Sequence, residues 1–190
     1  MIEYHRNTCI KFISRRSNDK DYISIENSPT GCWSSVGRIG GKQVVNLQTP
    51  ACLSKVGTVI HELKHSVGFM HEQNREDRDT FVKILSKNIK PGMEGNFDKA
   101  RAGQTNSFGV KYDYGSVMHY SSTSFSKDGK PTIEAKQKNS ETMGQREGFS
   151  KSDIEKVNKM YKCSGTGSTG TTKGPNQSTF GNLIQTLFPS

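Results

Sequence analysis

Apolar residues return at helical spacing most clearly in one place: Val56, Ile60, Leu63 and Val67 fall at i, i+4, i+7 and i+11. This stripe predicts the strongest helix of the chain, from about Lys55 to Val67. Gly68 follows where a left-handed residue ends a helix. Asp21–Ile25 alternates with the period of a strand, and Gln43–Leu47 predicts another. Gly31 to Gly41 is rich in Gly and Ser and reads as a loop. Met1 to Arg6 reads as the tail of a helix running into an extended stretch, Thr8–Ile13. From Thr80 to Lys111 the pattern is mixed; Phe81, Val82, Ile84 and Leu85 are expected inside, and Pro91-Gly92 marks a turn. Short extended pieces around Phe125 and Ile133 are expected to flank the turn-like Lys127-Asp-Gly-Lys130. Ser150-Lys-Ser-Asp153 reads as a capping box, with Asp in place of the usual Glu, opening a final helix whose Ile154, Val157 and Tyr161 share a face. Ser164 to Gly174 is almost all Ser, Gly and Thr, a flexible linker. The tail beyond it carries apolar residues from Phe180 to Phe188 and an N-glycosylation acceptor, Asn176-Gln-Ser178.

The chain has 190 residues, enough for one domain with a sizeable core. No apolar run approaches the roughly 18 residues of a membrane span, so membrane insertion is not expected, and residues 1–8 lack the apolar segment of a signal peptide. The net charge of +9 would suit an acidic partner. The Lys and Arg residues are interleaved with Asp and Glu, however, and form no dense basic block with stacking aromatics. The charge therefore reads as solvation, and no nucleic-acid partner is expected. Cys9, Cys32, Cys52 and Cys163 form no Cys-x-x-Cys pair, which argues against a thiolate zinc site or a thioredoxin-type centre. Four cysteines at wide separation fit two disulfides in an oxidising compartment, with three pairings open.

The chemistry concentrates in His61-Glu-Leu-Lys-His65-Ser-Val-Gly68-Phe-Met-His71-Glu72. Positions i and i+4 lie one above the other on a helix, so His61 and His65 can aim at one point. A bend at Gly68 can bring His71 to the same point. Three protein ligands leave one corner of a tetrahedral zinc ion to water, the mark of a catalytic site. Glu62, beside the first ligand, is placed to act as general base on that water and then as general acid to the leaving amine. A structural zinc site lacks a fourth ligand, because His119 is expected to point away and His5 is remote.

The run from His61 to His71 is the metzincin signature. Continued through Glu72, Arg75, Asp77, Arg78 and Asp79, it resembles the astacin family of metalloproteases. Ser116-Val-Met118-His-Tyr120 resembles the Met-turn, in which Met118 would floor the metal site and Tyr120 would be a swinging additional ligand that stabilises the transition state. Cys32-Trp-Ser-Ser-Val-Gly-Arg38 is similar to a further family stretch. The resemblance runs from about Met1 to Cys163. It implies pairing of Cys9 with Cys163 and Cys32 with Cys52, one Zn2+ per chain, a secreted protein, and polypeptide substrates bound extended in a cleft by pairing with a sheet edge. The implied fold is α+β and metzincin-like: a small twisted mixed sheet, the zinc-binding helix, and an irregular lower subdomain with a C-terminal helix. Residues 1–163 would be the catalytic domain, with the S1′ wall between Lys136 and Phe149, and residues 164–190 the linker and tail. The resemblance places Met1 inside the first long helix, so the chain reads as a catalytic domain lacking its first strand, with a newly exposed sheet edge. Glu72, which in mature members meets a buried N-terminal ammonium, is then expected to meet water or a neighbouring Arg, while Arg75, Asp77, Arg78 and Asp79 hold the turn. The expected function is zinc-dependent hydrolysis of internal peptide bonds; the alternative is a catalytically inactive, disulfide-bonded extracellular binding module or a non-functional fragment.

Overall fold

The structure, a computed structural model, describes residues 1–138 and 142–164. The glycosylation acceptor at Asn176, the apolar tail and the centre of the expected S1′ wall fall outside the described residues. Eight elements frame the rest. They are α1 (Ile2–Asn7), β1 (Tyr22–Glu26), β2 (Cys32–Ser34), β3 (Lys42–Leu47), α2 (Val56–Ser66), β4 (Val82–Ile84), β5 (Ile133–Ala135) and α3 (Lys151–Met160). In the first sheet β3 is central, parallel to β1 and antiparallel to β2, and β4 and β5 form a separate antiparallel pair. The result is a mixed α+β architecture, as expected.

The two sheets mark two cores. In the first, Val45 and Leu47 of β3, Ile60 and Leu63 of α2, and Val157 and Met160 of α3 pack together, so α2 lies between the sheet and α3. Tyr4 of α1 closes this core, and its hydroxyl donates to the Ile60 carbonyl at 2.9 Å. In the second, Val82, Ile89, Phe97, Tyr112, Tyr114 and Ile133 pack around the β4–β5 pair. Disulfides join Cys9 to Cys163, which ties the irregular segment after α1 to the end of α3, and Cys32 to Cys52, which ties β2 to the turn before α2.

Several expectations need correction. The Gly31–Gly41 loop contains β2, which the pattern does not predict because its three side chains are exposed or half-buried and show no apolar alternation. Its order comes from β3's backbone and from Cys32. Val56 is 56 % exposed, so the inward stripe of α2 begins at Ile60. Of the four residues expected inside after Thr80, Val82 alone is fully buried; Phe81, Ile84 and Leu85 are half-covered. Phe125 is not extended: it takes φ 53°, and β5 pairs with β4 rather than with this segment. Its ring instead packs edge-on to Phe97 at 6.0 Å. In α3, Ile154 and Tyr161 are half-covered, and the buried face is Asp153, Lys156, Val157 and Met160. The capping box is present, with Ser150 and Asp153 each accepting the other's backbone N–H.

Candidate metal centre

The last turns of α2 carry His61 and His65 on its buried side, and the helix stops at Val67. Gly68 then takes φ +103°, a conformation that calls for glycine, while a Cβ there would meet the movable Met160 methyl at 2.9 Å. The chain turns back, and His71 meets the other two rings. The three Nε2 atoms lie 3.3, 3.2 and 3.2 Å apart.

That spacing tests the site for a metal. Tetrahedral ligands at a Zn–N bond of about 2 Å stand about 3.3 Å apart. The rings are also oriented for it. His61 Nδ1 donates to the Val117 carbonyl at 2.7 Å and His65 Nδ1 to the Phe69 carbonyl at 2.8 Å, so the Nε2 lone pairs of both face inward. Asn74 hydrogen-bonds the His71 side chain. Burial, joined by the mutual repulsion of neighbouring rings, pushes His61 down to about 3 and His71 well below the usual histidine range; burial brings His65 to about 4. All three are thus neutral imidazoles at neutral pH, the form that binds a metal. Among the described residues no fourth His, Cys, Asp or Glu joins the group. His119 spends both ring nitrogens elsewhere, on the Tyr112 hydroxyl at 2.8 Å and the Tyr120 carbonyl at 2.7 Å.

Glu62 follows the first ligand and is buried. Burial pushes its carboxyl up to about 7, with the Arg146 guanidinium pulling the other way. A carboxyl poised near neutrality can both take and return a proton. Tyr120 lies against the third ligand, its ring centroid 4.4 Å from that of His71. Burial holds its phenol protonated, up to about 12, so it remains a donor at neutral pH. Met118 is 1 % exposed in the first core, and its carbonyl accepts the Glu72 N–H at 3.2 Å, which ties the Met118 segment to the segment bearing His71. An open depression of about 520 Å³, lined in part by His71, Asn96, Arg101 and Tyr120, adjoins the site.

Behind the ligands lies a layer of buried charge that sequence reasoning largely missed. Glu72 does meet a neighbouring Arg, Arg75, at 3.0 Å, but Lys156 of α3 also places its ammonium 2.6 Å from both carboxylate oxygens. Arg75 reaches Asp77 at 2.9 and 2.8 Å, and Arg78 reaches Asp79 at 2.7 Å and the Phe97 carbonyl at 2.6 Å, so both hold the turn. Lys64 is paired with Asp153. Arg146 was missed too; it donates to the His119 carbonyl at 3.3 Å, and its charge is felt at Glu62 and Tyr120. One signal was available. Lys64 is i+4 from Ile60 and i−3 from Val67, inside the apolar stripe, and Lys156 stands i−4 from Met160. A charge on an inward stripe implies a buried partner.

Comparison with known proteins places this arrangement among similar ones. The family described as Astacin, a peptidase family, matches residues 1–162. Zinc metalloproteinase nas-13 of Caenorhabditis elegans is 53% identical over 161 residues, 85% of this chain and 35% of that protein. Zinc metalloproteinase nas-15 of the same organism is 44% identical over 189 residues, 100% of this chain and 32% of that protein. The chain thus spans about a third of the length of these relatives. Among solved structures, high choriolytic enzyme 1, a hatching enzyme zinc-protease from Oryzias latipes, superposes with a TM-score of 0.79 at 40% identity, covering 86% of this chain and 79% of that one.

Proposed function

Because the chain belongs to the astacin family of peptidases, we propose that it is a zinc-dependent endopeptidase acting on internal bonds of extended polypeptides, with the metal held by His61, His65 and His71. When bound, zinc supplies Lewis-acid polarisation and lowers the pKa of water to about 7. Glu62 takes the proton of the attacking water and returns it to the leaving nitrogen; a value near 7 suits both halves of that exchange. Tyr120 donates its hydroxyl hydrogen bond to the charge that grows on the attacked carbonyl oxygen. Met118 floors the site, and Gly68 supplies the bend that returns His71. The Cys32–Ser34 strand has one neighbour among the described residues, β3, so its other edge is available to pair with a substrate strand. Two disulfides favour an oxidising, extracellular setting, and no helix among the described residues is long and apolar enough to cross a membrane.

One observation carries the reading: three inward-facing imidazole nitrogens at the spacing of a tetrahedral ion, next to a buried carboxyl. Glu62→Gln separates metal binding from catalysis. Casein cleavage should fall by about 10²–10⁴-fold while one zinc per chain is retained. Cleavage at the parent rate by the zinc-loaded variant would remove Glu62 from the chemistry. A folded, zinc-loaded parent that leaves casein intact would end the endopeptidase proposal.

A further inference from the structure

One carboxylate, fully withdrawn from solvent, links α3 to the metal centre without touching a ligand. Asp153 is 0% exposed. One of its oxygens accepts from Ser116 Oγ at 2.6 Å and from the Lys64 ammonium; the other accepts from the Val117 N–H at 2.8 Å and the Ser150 N–H at 3.0 Å. Ser116 Oγ accepts in turn from the Met118 N–H at 3.1 Å. Val117 is therefore gripped from both sides. Its N–H is held by Asp153, and its carbonyl, at 2.7 Å, receives Nδ1 of His61. Lys64, 1% exposed, sits in the same turns of α2 that carry His61 and His65, so the same carboxylate also fixes the helix to this segment.

Burying an ion pair is seldom the cheapest way to fill a core, because desolvation offsets much of the attraction. What a carboxylate with four donors supplies is direction. An apolar contact can slide, whereas each of these oxygens fixes two donors in place. We infer that Asp153, with Lys64 as its counter-ion, is a positioning residue of the zinc site: through Val117 it sets the carbonyl that fixes the tautomer and ring orientation of His61. This rests on the zinc reading above and not on the cleavage of peptides. Partners that orient a ligating histidine typically contribute about 10–100-fold to metal affinity, and Asp153 acts one step further back.

The test uses the full chain. Asp153→Asn keeps the volume but turns an NH2 group toward two of the four donors. Zinc affinity is measured by competition with a chelator at a temperature where circular dichroism shows each protein folded, and the visible spectrum of the cobalt-loaded protein is recorded. Val82→Ala, in the second core, serves as a destabilised control. Asp153→Asn should weaken zinc by about tenfold and shift the cobalt spectrum, and Val82→Ala should do neither. Affinity within about twofold of the parent, or an equal loss in Val82→Ala, overturns the inference. Should Asp153→Asn not fold, Ser116→Ala removes one of the donors and the acceptor for Met118; it should weaken zinc in the same direction, and a folded Ser116→Ala with parental affinity overturns the inference as well. A parent that binds zinc and leaves casein intact defeats the protease proposal and leaves this inference standing. Full cleavage by both parent and Asp153→Asn, with equal zinc affinity, does the reverse.

Discussion

Replacing glycine by alanine inside a helix ordinarily stabilises it by about 1 kcal/mol. At Gly57, in the first turn of α2, the sign should reverse. A Cβ built there would lie 2.2, 2.3 and 2.6 Å from the carbonyl oxygen, carbonyl carbon and Cα of Arg146. These are backbone atoms and cannot rotate away, so relief from 2.2 Å to ordinary contact requires a displacement of more than about 1 Å between helix and loop. The Gly57 N–H also donates to that carbonyl at 2.9 Å, and a displacement of this size breaks the bond. The loop is itself closely packed two residues earlier, where a Cβ at Gly144 would meet the Ser121 backbone at 2.5 Å. Overpacking of this kind costs about 1–3 kcal/mol and the lost hydrogen bond about 1 more, against the gain of about 1 in helix propensity. The net expectation for Gly57→Ala is a loss of about 1–3 kcal/mol, which lowers Tm by about 2–12 °C in a domain of this size. Thermal unfolding followed by circular dichroism with zinc held constant reads it directly. A Tm equal to or above the parent's would refute the argument, since it would mean that the Arg146 loop moves at no cost. Arg146 also feels the charge of Glu62, so the same displacement should alter the pH profile of cleavage.

Tyr120→Phe keeps the ring against His71 and removes the donor; kcat should fall by about 10²-fold with KM little changed, and unchanged kcat would exclude the hydroxyl from the reaction. Lys156→Met leaves Glu72 buried with Arg75 as its remaining cation, and urea unfolding should show a loss on the order of 3 kcal/mol; a stability within about 0.5 kcal/mol of the parent would show the pair to be dispensable. Burial by itself would raise Asp153, yet the charge and hydrogen bond of Lys64, with the donors Ser116 and Val117, hold it down at about 2, against about 3.9 in an unfolded chain. Its folded value lies below its unfolded one, so its contribution, on the order of 2 kcal/mol, is complete above about pH 4 and is lost as pH falls from there through about 2. Urea midpoints across that range should fall accordingly, and Lys64→Met should move the loss to higher pH; identical acid profiles for the two proteins would contradict the pairing.

How much of this was legible in the sequence depends on how locally each feature is determined. The ligand helix could be read because a tetrahedral ion demands imidazoles at i and i+4 and a bend before the third, and the whole requirement fits within His61–His71. The cap of α3 could be read for the same reason, since Ser150 and Asp153 satisfy each other. β2 could not: Cys32, Trp33 and Ser34 are held by β3's backbone and by Cys52, neither of which leaves a period in the local pattern. Phe125 misled because an apolar residue between polar ones looks extended, whereas its left-handed backbone serves to turn the ring toward Phe97 and Tyr120.

The buried charges are the harder case, and they separate two kinds of information. Lys64 finds its partner 89 residues away and Lys156 finds Glu72 84 residues away, so neither pair lies within any local window. Each lysine nevertheless stands on an apolar stripe, where an unpaired ammonium would be prohibitively costly. The stripe therefore announces that a carboxylate must arrive, though not which one. Asp153 and Lys156 share one face of α3, three residues apart, while their partners belong to α2 and to the turn after His71. A helix offering a carboxylate and an ammonium from one face can satisfy the two segments that carry the metal ligands in one seating only. The same charges that make α3 look too polar for a core helix thus fix its register against the metal site.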